Sequence, residues 1–198
     1  MSKSTWFRAM TSTKNSTMTS MPKKDKARSR LSCQERALRL LEVRRRSEKE
    51  LRDRLREGKF PPEEIDEVIA TMKRYNYVND VDFAFEWVRQ RHEMKGKSRA
   101  VLNQELRLKG INEELRRSAL EQVTDESERA RAALIAEKKV RSFKNPPADY
   151  MEYQKYLSRI LGMLGRRGFN PGMSMSVAKE ALAARFPKGG EEPEDFGL

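Results

Sequence analysis

One cysteine and one histidine are all that these 198 residues offer of the side chains most used as metal ligands and nucleophile–base pairs. Cys33 and His92 stand far apart, so neither a zinc site nor a Cys–His catalytic pair can be assembled, and no metal or cofactor is expected. A single cysteine excludes an internal disulfide and suits a reducing compartment. At the head of an apolar-periodic run, Cys33 reads as a small hydrophobe. No apolar run approaches the ~18 residues of a membrane span, and no apolar core of a secretory signal is present. Period-2 alternation is missing, which argues against a sheet. A Gly-rich phosphate loop and a nucleophile elbow are also missing. The carboxylate pairs Glu63-Glu64 and Glu113-Glu114 fall where helices start and complement the helix dipole there. No catalytic residue and no small-molecule substrate are therefore expected.

What is present is repetition. SEKELRDRLREGKFPPEEIDEVI, from Ser47 to Ile69, returns 51 positions on as SRAVLNQELRLKGINEELRRSAL, Ser98 to Leu120. It returns 58 positions further as YLSRILGMLGRRGFNPGMSMSVA, Tyr156 to Ala178. Four apolar positions stay in register: Leu51, Leu102 and Ile160; Leu55, Leu106 and Leu164; Phe60, Ile111 and Phe169; Val68, Ala119 and Val177. An apolar pair four apart, a turn and a second amphipathic run make one helix–turn–helix phrase written three times. Such units bury their apolar faces against neighbours and present long surfaces for other macromolecules.

Caps and breakers divide the chain further. Helices are expected at about 33–45, 47–58 and 61–75, with Ser47 and Glu50 as a capping box and Pro61-Pro62 opening the third. Glu48–Arg52 and Glu50–Arg54 are spaced as helical ion pairs. Asp80 is expected to cap the next helix, ending near Gly96. Ser98 caps its successor, Gly110 stops it, and Asn112 caps a partner running to about Gln122. Asp125 with Glu128 repeats the capping spacing. After Pro146-Pro147 come helices from Tyr150 to Arg167 and from Met173 to Phe186. The expectation is all-α: an elongated array of three tandem three-helix repeats, at 33–79, 80–124 and 125–187. Gly162 and Gly165 weaken helix propensity in the third, which is expected to be the loosest.

The chain carries +12, unevenly. Residues 1–32 hold +7 with no apolar period and read as a disordered tail. The tail lacks acids before Asp25, which faintly resembles an organelle transit peptide; Met10, Met18 and Met21 leave an extended start equally open. Residues 188–198 form an acidic end of −3, leaving +8 on the body. A body this basic attracts nucleic acid first and acidic protein surfaces second. Four clusters carry the candidate contacts: Arg44, Arg45 and Arg46; Lys95, Lys97 and Arg99; Lys138, Lys139 and Arg141; Arg166 and Arg167. They suit phosphates or carboxylates, and equally the C-terminal ends of helices. Tyr75, Tyr77, Phe83, Phe85 and Trp87 could stack bases. Phe83 and Trp87 instead share a helical face and suit the packing between the first two repeats, which leaves Phe85 as the better exposed contact.

The order Arg46-Ser47-Glu48-Lys49-Glu50-Leu51, Tyr77-Val78-Asn79-Asp80-Val81-Asp82-Phe83-Ala84, then Glu105-Leu106-Arg107-Leu108-Lys109-Gly110-Ile111 resembles the RecX family, regulators of the RecA recombinase. The likeness runs from about 33 to 186, more loosely in the third repeat. The first repeat departs by reading Gly58-Lys59-Phe60 where the others place Gly directly before the apolar residue. The resemblance implies three tandem three-helix repeats and no enzyme activity. It implies binding to RecA and to its filament on single-stranded DNA in the cytoplasm, limiting filament growth, in the setting of DNA repair, recombination and the SOS response. Such a protein would lie along the filament groove. The rival reading is a basic helical nucleic-acid-binding module acting without RecA.

Overall fold

The computed structural model describes residues 31–187. The expected basic tail and the acidic end lie outside the described residues, apart from Leu31 and Ser32. From Cys33 on, the described residues form nine helices and no strand: α1 (Cys33–Val43), α2 (Glu48–Glu57), α3 (Pro62–Arg74), α4 (Asp80–Lys95), α5 (Arg99–Leu108), α6 (Glu113–Leu120), α7 (Asp125–Val140), α8 (Tyr150–Gly165) and α9 (Pro171–Arg185).

Their buried side chains divide into three separate cores, so the architecture is an all-α array of three-helix sets. Leu51, Leu55, Ile65, Ile69 and Met72 fill the first. Phe83, Val88, Leu102, Leu106 and Ile111 fill the second. Tyr153, Leu157, Ile160, Leu164, Phe169 and Leu182 belong to the third. Eleven of the twelve positions that stay in register are buried. Phe60 alone is partly buried, at the edge of the first core.

Side-chain caps begin most helices. Ser47, Ser98, Asn112 and Thr124 accept the N–H of the third helical residue. Two expected caps move by one residue. Asn79, not Asp80, caps α4 by accepting from Val81 and Asp82, and Thr124, not Asp125, caps α7. Asn and Thr oxygens reach these amides from the extended residue outside the helix, which frees Asp80 and Glu128 for other partners. The capping box is half made. Ser47 Oγ accepts from Glu50 at 3.2 Å, but the Glu50 carboxylate turns to Arg44 and Lys109 instead of Arg54. Glu48–Arg52 pairs as expected at 2.9 Å. α9 starts at Pro171, capped by Asn170, two residues before the expected Met173.

The turn after the middle helix has one geometry in all three sets. Lys59 (φ 61°), Gly110 (φ 80°) and Gly168 (φ 80°) occupy the same register position, all in the left-handed region. The departure at Gly58-Lys59-Phe60 therefore changes the residue and not the turn.

Candidate functional site

The sets are joined by a contact made twice from equivalent residues. At the first junction the start of α2 meets the α5–α6 turn: Ser47, fully buried, donates its hydroxyl to the Lys109 carbonyl at 2.7 Å. At the second the start of α5 meets the α8–α9 turn: Ser98, equally buried, donates its N–H to the Arg167 carbonyl at 3.0 Å. The next residue repeats the match. Glu48 N–H donates to the Asp80 carboxylate and Arg99 N–H to the Glu128 carboxylate, each at 2.8 Å. In both cases a free amide at a helix start is satisfied by a carboxylate in the first turn of the following set. Glycine lets the turn approach. A Cβ on Gly110 would lie 2.6 Å from Lys49 Cβ, and one on Gly168 would lie 2.7 Å from Ser98 Oγ and against Val101 Cγ2. Among the described residues no helix start is seated on the turn at Lys59, where a side chain is accommodated.

Glu50 is the centre of the first junction. Arg44 binds it bidentately at 2.9 and 3.0 Å, and Lys109 pairs with it from the next set. Burial pushes its carboxyl up, but the hydrogen bonds from Arg44 and Lys109 outweigh that and bring it from its ordinary 4.5 to about 2. Lys109 also stands 4.9 Å from the Trp87 ring, with Arg91 at 4.3 Å, and Trp87 Nε1 donates to Glu105 at 2.9 Å.

These contacts occupy part of the basic surface that carries the candidate clusters. Arg45 reaches Asp82 and Glu86 of α4 at 3.6 and 3.2 Å, and Arg46 Nε donates to the Leu40 carbonyl at 3.1 Å. With Arg44 on Glu50, the whole first cluster is engaged internally. Lys95 is exposed, while the Lys97 carbonyl lies 3.0 Å from His92 Nδ1. Arg99 is drawn to Asp125 and Glu128. Lys139 lies over the Phe143 ring at 5.4 Å and Arg141 pairs with Glu137 at 3.5 Å. Arg167 Nη1 donates to the Met163 carbonyl at 3.1 Å. Lys138 and Arg166 are exposed and carry no ion pair among the described residues. The structure brings the second cluster to the fourth, through Ser98 and Arg167.

Sequence reading passed over Lys155 and Arg159. With Arg166, the C-cap of α8, they are spaced i, i+4 and i+11, one stripe running along α8 to its cap by helical geometry, and all three are exposed. The i, i+4 spacing was the available signal. Residues 125–187 hold twelve Lys/Arg against seven Asp/Glu, so +5 of the body's charge sits there, against +2 in 33–79 and +1 in 80–124.

The aromatics differ from expectation in two respects: Phe83 and Trp87 pack within the second set rather than between the first two, and Phe85 is not the exposed one. Phe83 is in the second core and stacks on Trp87 at 5.4 Å. Phe85 is half-buried against the same core, whereas Tyr75 and Tyr77 are 50% and 41% exposed. Phe85 packs against the second core and also lines the cleft between Arg45 and Gln122. Cys33 is buried, and burial, aided by Glu64, pushes its thiol up to about 11. Among the described residues no group of three or more His, Cys, Asp or Glu is placed to hold a metal ion. No described helix is long and apolar enough to cross a membrane.

Known proteins share this organisation. The first three-helix domain of RecX matches residues 33–72 and the second matches 79–120. The regulatory protein RecX of Corynebacterium efficiens is 49% identical over 151 residues, covering 76% of this chain and 72% of the relative. That of Amycolatopsis mediterranei is 38% identical over 143 residues, covering 72% and 79%. The crystal structure of RecX from Lactobacillus salivarius superposes with a TM-score of 0.60 at 24% identity, over 75% of this chain and 94% of that one, a likeness of fold. Two matched domains and close relatives over most of their length establish that the chain belongs to the RecX family of regulatory proteins.

Proposed function

We infer that the chain is a non-catalytic regulator that binds the RecA recombinase and its filament on single-stranded DNA and limits recombinase activity. It acts in the cytoplasm, in recombination, DNA repair and the SOS response. The observation that carries this reading is the junction used twice in a chain of the RecX family: equivalent residues recur from set to set, which suits a partner that is itself a run of identical protomers. Repeats at 33–79, 80–124 and 125–187 are the units of that match. The carboxylates in the first turns of α3 and α6 serve the helix dipole, and the reading gives them no chemistry. Co-sedimentation with RecA filaments assembled on single-stranded DNA tests it. The chain should pellet with filaments and not with DNA alone at raised salt, since phosphate contacts weaken steeply with salt. Equal pelleting on bare DNA, lost uniformly with salt, would favour a nucleic-acid-binding module acting without RecA; the +5 carried by residues 125–187 is what supports that rival.

A further inference from the structure

Neither the fold nor the RecA reading uses the acidic end, residues 188–198. It places Glu191, Glu192, Glu194 and Asp195 within five positions and carries −3. It follows directly on the set that holds +5. In that set Arg129 is paired with Glu180 and Arg141 with Glu137. Lys138, Lys144, Lys155, Arg159 and Arg166 are exposed and carry no ion pair among the described residues. Lys155, Arg159 and Arg166 form the α8 stripe, about 17 Å long at 1.5 Å per residue. Gly162 lies between them on the same stripe, and a Cβ there would touch only Arg166 Nη1, at 3.5 Å, so the surface beside Gly162 is open.

Connectivity brings the acidic end to this stripe. A short link joins α8 and α9, as one joins α2 and α3, where Lys73 at the end of α3 reaches Glu48 at the start of α2 at 2.8 Å. The equivalent course in the third set takes the chain out of α9 on the side where α8 begins. At most about 3.5 Å per residue keeps Asp195 within about 28 Å of Pro187, enough to span the stripe. A short tether also holds the carboxylates at an effective concentration in the millimolar range. That is enough for weak contacts to compete with a free ligand.

We propose that the acidic end seats on the Lys155–Arg159–Arg166 stripe of α8 and competes there with single-stranded nucleic acid. The competition rests on the attraction of the +5 set for nucleic acid, the observation behind the rival reading above, and the contact rests on charge and connectivity. When phosphates displace the carboxylates, the end is released and the stripe's three cations become available together. At low salt the intact end therefore holds polyanion binding down, and the restraint fades as salt rises.

The full-length chain is compared with a full-length variant bearing Glu191→Gln, Glu192→Gln, Glu194→Gln and Asp195→Asn. Three phosphate contacts change the salt slope of single-strand binding by about 2, so the variant should bind an oligothymidylate about tenfold tighter near ~50 mM salt, with the gain gone near ~200 mM. Adding Lys155→Gln, Arg159→Gln and Arg166→Gln to both chains should abolish the difference. Carbodiimide coupling of carboxylates to lysines, mapped by mass spectrometry, reads the contact without DNA. Products from the acidic end should favour Lys155 over Lys59 and Lys95. Even coupling across those lysines, or unchanged oligothymidylate affinity in the neutralised variant, overturns the proposal. RecA ATPase run on the same samples separates the two readings, because inhibition by the intact chain stands or falls independently of either result.

Discussion

Gly110→Ala is expected to weaken the fold by about 3 kcal/mol, although it adds a single methyl group. Part of this comes from the backbone: at φ 80° an L side chain costs roughly 1–2 kcal/mol. The rest comes from the neighbour, because the new carbon would stand 2.6 Å from Lys49 Cβ and 2.7 Å from Lys49 Cδ. Lys49 Cβ is fixed to the α2 backbone and cannot swing away, and overpacking of this kind costs roughly 1–3 kcal/mol. Position 59 separates the two effects, since Lys59 holds the same turn position at φ 61° with no helix start seated on it among the described residues. The stability difference between Lys59→Gly and Lys59→Ala gives the backbone effect alone, about 1 kcal/mol. Urea unfolding of all four chains, with equal slopes, supplies the comparison. If Gly110→Ala loses no more than the Gly-to-Ala step at 59, the close approach of the two sets carries no energy and the junction argument is wrong.

Glu50 makes the first junction acid-sensitive. Its carboxyl is lowered to about 2 in the fold, so its stabilisation is complete above the ordinary 4.5 and is lost as pH falls toward 2. Glu50→Gln should therefore lose on the order of 3 kcal/mol at neutral pH, with the gap to the unmodified chain closing in acid melts. Gly162→Ala and Gly165→Ala should each stabilise by about 0.5–1 kcal/mol, because both sit in α8 and a Cβ at Gly165 meets nothing within 4 Å; a fall in melting temperature would count against this. Leu106→Ala, in the second core and fully buried, should destabilise by about 2–5 kcal/mol in the same urea assay. The Cys33 thiol, raised to about 11, should react with a disulfide reagent only as fast as the protein unfolds.

Much of the fold was legible because helix periodicity and caps are local. Leu51, Leu55, Leu102, Leu106, Ile160 and Leu164 share a register that needs no neighbour to be recognised, and each is buried. What sequence could not supply was the partner of each charge. Glu50 is spaced for Ser47 and Arg54, yet it is claimed by Arg44 and by Lys109, 59 residues away. Asp80 looks like a cap but faces Glu48 across the junction. For the same reason Arg44, Arg45 and Arg46 look free in sequence and are engaged in the structure. Lys155 and Arg159 were passed over because they are scattered among apolar residues, and only winding the helix gathers them. The glycines divide likewise: Gly162 and Gly165 lower helix propensity, and yet the third core has the most buried side chains, an opposition that amide exchange resolves.

RecA's DNA-dependent ATP hydrolysis, followed on single-stranded DNA as this chain is added, tests the regulatory reading most directly. Slowing at chain concentrations well below that of RecA, accompanied by shortened or depleted filaments, is the predicted result. Unchanged hydrolysis at equimolar chain, with filaments intact by microscopy, would contradict it.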